Sequence, residues 1–181
     1  MMRIPDRDRL DTARRLRPAV LALGSNLGDR GELLHDAVAA LGATPGVELR
    51  AVSPVVESVA VKPGGADESA PRYLNAVVLV DTLLTPRELL AEAHRIEGEH
   101  GRVRAERWGD RTLDIDIVDF DGLESADPEL TLPHPRAAER AFVLAPWLAV
   151  DPQAELPGAG RVATLLAAIG DDTVPAQGVE L

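Results

Sequence analysis

Two stretches of helical period, each set between runs of strand character, fix the order in which this chain can fold. The first covers residues 30–42, where Leu33, Leu34, Ala37, Val38 and Leu41 recur on one stripe and Asp29 stands ready to cap the start. The second begins at Thr85, which forms a capping box with Glu88 and has Pro86 at the first helical position. It runs to about Glu99, and Gly101 stops it. The flanking strands are residues 19–23, a β-branched stretch from Val47 to Ser58 broken by Pro54, residues 73–80, and residues 113–120. Strand, helix, strand, strand, helix, strand is the split βαβ arrangement. The expected fold is therefore α+β: a ferredoxin-like βαββαβ core, an antiparallel sheet with both helices on one face, plus C-terminal additions. Those additions should hold a helix from Arg136 to Leu148 and a short one near residues 162–169.

At 181 residues the chain has the length of one domain. Residues 1–18 carry Arg3, Arg7, Arg9, Arg14, Arg15 and Arg17 without an apolar period. They read as a flexible tail, leaving 19–181 as a single domain. Residues 59–72, with two Gly and two Pro among polar residues, have the composition of a mobile loop. Cysteine is absent, which excludes disulfides, thiolate metal sites and cysteine nucleophiles. No apolar run approaches the ~18 residues of a membrane span, and residues 1–18 lack the apolar core of a secretory signal, so a cytoplasmic setting is expected. The net charge of −11 is the wrong sign for a general nucleic-acid or anionic-membrane binder. An anionic ligand must be met by a local basic cluster or by bound cations.

Such a cluster exists. Arg102, Arg104, Arg107 and Arg111 fall within ten residues and immediately precede Asp114 and Asp116. On a strand those two carboxylates share a face, about 6–7 Å apart along the pleat, while Ile115 and Ile117 take the other. Two carboxylates can bind Mg²⁺ together with phosphate oxygens and water. Arginine suits the remaining phosphate charge because its planar fork meets two oxygens at once. Continued alternation puts Val118 and Phe120 on the Asp face, with Asp119 and Asp121 opposite. A competing account is an edge strand charged for solubility.

Other features carry less alone. Gly24-Ser25-Asn26-Leu27-Gly28 joins a strand to a helix, as phosphate loops do, but lacks the lysine of a P-loop and the third glycine of a dinucleotide fingerprint. Tyr73 and Asn75 share a strand face, setting an aromatic plate beside an amide in a chain with only 3% aromatic residues. His134 is held between Pro133 and Pro135, and the four histidines show no zinc spacing.

Over residues 19–157 these runs resemble the 6-hydroxymethyl-7,8-dihydropterin pyrophosphokinase family. The resemblance rests on Leu23-Gly24-Ser25-Asn26-Leu27-Gly28, Tyr73-Leu74-Asn75-Ala76, Arg107-Trp108-Gly109 with Arg111-Thr112-Leu113-Asp114-Ile115-Asp116, and Leu132-Pro133-His134-Pro135-Arg136 with Glu139-Arg140-Ala141-Phe142-Val143-Leu144. It implies transfer of the terminal diphosphate of ATP to the hydroxymethyl oxygen of the pterin, releasing AMP, in folate biosynthesis. By position it implies that Asp114 and Asp116 hold two Mg²⁺ ions, with Asp114 also facing substrate, and that Arg102 and Arg111 join them in catalysis. Arg102, Arg104, Arg111, His134 and Arg140 would contact ATP, with Glu97, Trp108, Ile117 and Thr131 around the nucleotide. Tyr73 and Phe142 would sandwich the pterin, with Asn75 and Ser58 on its edge.

The chain departs from the family pattern in four places. Asp110 replaces a proline, the run Arg104–Arg107 is one residue shorter than in some relatives, His94 stands where glutamine is familiar, and Val59-Ala60-Val61 replaces a proline-containing segment. The chemistry is coherent nonetheless. In-line attack at phosphorus needs spread-out charge neutralised, and metals with arginines do that without covalent catalysis. A nucleotidyltransferase or phosphohydrolase would use the same two aspartates but needs no aromatic slot, and a ligand-sensing module needs no Arg/Asp cluster. The expected partners are ATP and the pterin, with no nucleic acid and no membrane, acting on a monomer.

Overall fold

A computed structural model describes residues 15–62, 65–67, 69–100 and 112–181. The sheet is built around Tyr73–Thr82 (β6), whose run of apolar residues is buried along nearly its whole length. Arg17–Ser25 (β1) pairs antiparallel with Leu74–Thr82 of it, and Asp114–Phe120 (β7) pairs antiparallel with the far side of β1. β1 thus starts two residues earlier than its apolar run, taking Arg17 and Pro18 from the expected tail.

The strand expected over Val47–Ser58 is two. Val47–Val52 (β2) lies along the C-terminal half of β6, and Val56–Ser58 (β3) along its N-terminal end. Pro54 has no N–H for the ladder. At the break, Ser53 bonds Val77 twice: its N–H donates to Val77 O at 2.9 Å, and its Oγ accepts from Val77 N at 2.8 Å. The segment expected as a loop over 59–72 contains a small hairpin, Ala60–Lys62 (β4) with Gly65–Asp67 (β5). Two more hairpins follow β7: Ser125–Asp127 (β8) with Leu130–Leu132 (β9), and Glu155–Leu156 (β10) with Gly160–Arg161 (β11). Strand Val174–Pro175 (β12) pairs with β3 and ends the sheet on that side.

The first two helices form as their signals require. Arg30–Ala43 (α1) is capped by Asp29, which accepts from Glu32 N at 3.1 Å, and Pro86–Glu99 (α2) by the full Thr85/Glu88 capping box. Both pack on one face of the sheet, where Leu34, Leu41, Leu89 and Ile96 meet Leu21, Leu23, Val78, Ile115, Ile117 and Phe120. The opposite face is also covered. Ala141–Val150 (α3) and Val162–Ile169 (α4) bury Val143, Leu144, Trp147 and Val162 against Val20, Val77 and Val118. The single helix expected over Arg136–Leu148 is broken: a 3-10 turn, Ala137–Glu139, is followed by Arg140 in extended backbone (φ −117°, ψ 101°) before α3 begins.

The side-chain phase along β7 also differs from simple alternation. Leu21 pairs with Ile117 but Val20 pairs with Asp119, so Val118 is an inserted bulge residue. The bulge swaps the faces beyond it: Phe120 joins Ile115 and Ile117 in the α1–α2 core, while Val118 stays on the face of Asp114 and Asp116. Among the described residues no helix is long and apolar enough to cross a membrane.

Candidate active site

Register sets one row of side chains across four strands: Val56 on β3, Asn75 on β6, Gly24 on β1 and Asp114 on β7. The next row on the same face holds Val77, Ala22 and Asp116, and Tyr73 pairs with Ser58 at the other end. Across from these rows stands the start of α3. Between them lies a cleft of about 190 Å³, bounded by Tyr73, Asn75, Ser58, Asp114 and Asp116 from the sheet and by Arg136, Glu139, Arg140, Phe142 and Val143 opposite. That volume is below the roughly 300 Å³ at which drug-sized pockets begin. It suits one small ring system, and anything longer must extend outward.

Gly24 is the floor. A Cβ there would stand 3.3 Å from Asn75 Oδ1 and 3.8 Å from Tyr73 Cδ1. Asn75 donates Nδ2 to Ser58 Oγ at 2.9 Å, and both residues are only 4% exposed. This bond fixes the amide so that its oxygen lies over Gly24. Phe142 lines the opposite wall, with the Arg140 guanidinium 5.6 Å from its ring centroid.

The charged end is organised around Asp116. Arg140 Nη1 lies 3.4 Å from Asp116 Oδ2, and His134 Nε2 lies 3.7 Å from the same oxygen. His134 is positioned by its own N–H, which donates to Val118 O at 2.8 Å, and by Arg136 N, which donates to His134 Nδ1 at 3.2 Å. Nδ1 is therefore the acceptor, and Nε2 turns toward the carboxylate. Burial holds the His134 imidazole below its usual range, outweighing the opposite pull of Asp116. Burial likewise lowers the Arg140 guanidinium from its ordinary value, more than Asp116 raises it.

Of the residues expected at a site, the structure gathers Tyr73, Asn75, Ser58, Asp114, Asp116, Arg140 and Phe142 around one cleft, with His134 against Asp116. Arg102, Arg104, Arg107, Trp108 and Arg111 lie outside the described residues. Three residues expected around the nucleotide are not in the cleft. Glu97 is buried on the α2 side, where its Oε1 accepts from Ile115 N at 2.8 Å and so holds the backbone between the two aspartates. Ile117 alternates away from Asp116 into the α1–α2 core, and Thr131 on β9 donates to Asp127 O at 3.0 Å. The Gly24–Gly28 run works as a strand-to-helix turn: Ser25 Oγ donates to Thr112 O, tying it to the residue two before Asp114. Arg136, Glu139 and Val143 line the cleft without having been singled out, although the run around His134 contained all three.

Among the described residues no three His, Asp or Glu side chains gather as a ready metal cage. The donor set nonetheless fits Mg²⁺, which takes one or two carboxylates and leaves its other positions to phosphate and water.

A sequence profile of the 7,8-dihydro-6-hydroxymethylpterin-pyrophosphokinase family matches residues 20–152. The chain is 46% identical over 153 residues to the 2-amino-4-hydroxy-6-hydroxymethyldihydropteridine pyrophosphokinase of Mycobacterium leprae, covering 78% of this chain and 76% of that one. It is 42% identical over 140 residues to the enzyme of the same name from Methylorubrum extorquens, covering 77% and 86%. Among solved structures, the Plasmodium falciparum HPPK-DHPS protein superposes with a TM-score of 0.69 over 94% of this chain at 14% identity, a likeness of fold. This chain spans 46% of that longer one.

Proposed function

The chain belongs to the 7,8-dihydro-6-hydroxymethylpterin-pyrophosphokinase family, and from that premise we propose which of its residues carry the reaction. The enzyme transfers pyrophosphate from ATP to 6-hydroxymethyl-7,8-dihydropterin in folate biosynthesis. The hydroxymethyl oxygen bonds to the β-phosphorus and loses its proton, while the bond from that phosphorus to the α,β-bridging oxygen breaks and AMP leaves with that oxygen.

The pterin ring lies in the slot between Tyr73 and Phe142, with the Asn75 amide reading its hydrogen-bonding edge. A flat heterocycle needs little more than an aromatic slot and a few fixed polar groups. Asp114 and Asp116 would hold Mg²⁺, two ions in all with the triphosphate. Bound there, the metal would neutralise phosphate charge and align the attacking and leaving oxygens. Arg140 and His134 face the same anionic region, one as a cation and one as a neutral donor. Phe142 and Val143 keep water from the hydroxymethyl group, the competing nucleophile.

The observation that carries this reading is the shared row of Asn75, Gly24 and Asp114. Asn75 and Asp114 flank one intervening strand, so their backbones stand two strand spacings apart, roughly 10 Å. A substrate read at one end by the amide presents its other end to the carboxylates. The protein acts as a monomer in this reading, and dependence on ATP supports a cytoplasmic setting.

The test is incubation with ATP, Mg²⁺ and the pterin, followed by mass spectrometry. A pterin diphosphate, with AMP appearing only when pterin is present, is expected. AMP or phosphate released equally without pterin would overturn the reading.

A further inference from the structure

The family match ends at residue 152, yet the chain beyond it returns to the pterin end of the cleft. After α4, Gly170 (φ +81°) turns the backbone, and β12 runs antiparallel to β3 with Val174 opposite Glu57 and Pro175 opposite Val56. Ala176 N then donates to Val55 O at 2.9 Å. Further on, Val179 and Leu181 pack against the α1–α2 core. Val179 lies against Gly31, where a Cβ would stand in ordinary contact, 3.4 Å from Val179 Cγ1.

β3 needs this support. It is three residues long, and among the described residues its only other neighbour in the sheet is the first part of β6. A three-residue edge strand has few hydrogen bonds to hold its position, and such segments open at low free energy. Yet β3 carries Ser58, which orients the Asn75 amide. We propose that the C-terminal segment Val174–Leu181 is a brace for the pterin end of the cleft: it fixes β3, and through Ser58 and Asn75 it sets affinity for the pterin but not for the nucleotide. Val174, Ala176 and Val179 are thus positioning residues. The inference rests on the pterin reading of the cleft. Arg30 holds β3 independently, with Nη2 3.4 Å from Glu57 Oε1, so loss of the brace loosens the strand without freeing it.

Two full-length variants test this. Ala176→Pro removes the N–H given to Val55 O, and Val179→Asp sets a charge where the tail packs. Without substrate, amide exchange at Val56–Ser58 should quicken about tenfold in both, while β1 keeps its protection. In turnover, KM for the pterin should rise about tenfold, with kcat and the KM for ATP within about twofold. Unchanged exchange at Val56–Ser58 would overturn the brace. So would faster exchange with an unchanged pterin KM, or equal rises in both KM values. Turnover of the pterin by the unaltered chain judges the assigned function separately. If that failed, the exchange measurement would still decide whether the tail holds β3.

Discussion

Arg140 Nη1 lies 3.4 Å from Asp116 Oδ2, and Asp116 acts on this guanidinium more strongly than Asp114 does. The two aspartates therefore share a face but weigh unequally on Arg140. Both Asp114→Asn and Asp116→Asn should abolish most turnover, each by more than the ~3–4 kcal/mol typical of losing one preorganised donor. Asp116→Asn strips the half-buried guanidinium of the carboxylate that acts on it most strongly. Its melting temperature should fall further than that of Asp114→Asn. Near-normal turnover of either variant at saturating Mg²⁺ would remove that residue from the metal site, and equal melting temperatures would show the Arg140 pair to be without weight.

Phe142 sits in the first turn of α3, across the cleft from Tyr73. Base–aromatic stacking is worth roughly 1–3 kcal/mol per ring, and the pterin should behave similarly. Phe142→Ala is expected to weaken pterin binding by that amount in a fluorescence titration. Nucleotide binding measured alongside should change little. Equal weakening of both ligands would make Phe142 a packing residue of the second core.

Much of this was legible in the residues. Caps at Asp29 and Thr85 marked the helices, and Tyr73 with Asn75 and Asp114 with Asp116 fall on the face that alternation assigns them. Two features escaped. Alternation put Phe120 beside the aspartates, because the bulge at Val118 depends on pairing with β1 and leaves no composition signal. The break at Arg140 was invisible because residues 136–145 are helix-permissive, and the one breaker nearby, Pro146, sits inside α3. At Arg140 the backbone is extended and the side chain reaches Asp116, a tertiary contact that no local signal announces. The C-terminal strand, two residues long, is too short for any period to declare itself.

Asp119 offers a prediction about pH. Burial raises its carboxyl above the usual range, against backbone N–H groups of Gly122 and Phe120 that favour the ion, and its Oδ1 is buried without a hydrogen-bond partner. A carboxyl whose pKa is higher folded than unfolded favours the fold at low pH, and that contribution is lost as pH rises through the folded value. At neutral pH the buried anion therefore costs stability. Asp119→Asn should raise the melting temperature by about 2 °C or more at neutral pH. The gain should vanish below about pH 4, where the native carboxyl is protonated too. A gain of the same size at both pH values would assign the effect to packing.

Gly24 separates stability from recognition. Its φ is not in the left-handed region, so the backbone itself accepts alanine, and a strand loses roughly 0.5–1 kcal/mol by having glycine there. On that ground Gly24→Ala should leave the melting temperature unchanged or higher. The new Cβ, however, would stand 3.3 Å from Asn75 Oδ1, closer than side chains ordinarily tolerate. Asn75 cannot simply retreat, because its Nδ2 is bonded to the buried Ser58 Oγ at 2.9 Å. Either that bond stretches or the amide turns, and both spoil the edge that reads the pterin. Losing one such hydrogen bond is worth about 1 kcal/mol, so the KM for the pterin should rise roughly five- to tenfold. The KM for ATP, whose proposed contacts lie toward Asp116 and Arg140, should stay within about twofold. Steady-state kinetics with each substrate varied in turn make the measurement. A pterin KM left unchanged in a stable Gly24→Ala protein would mean that the Asn75 amide does not read the substrate.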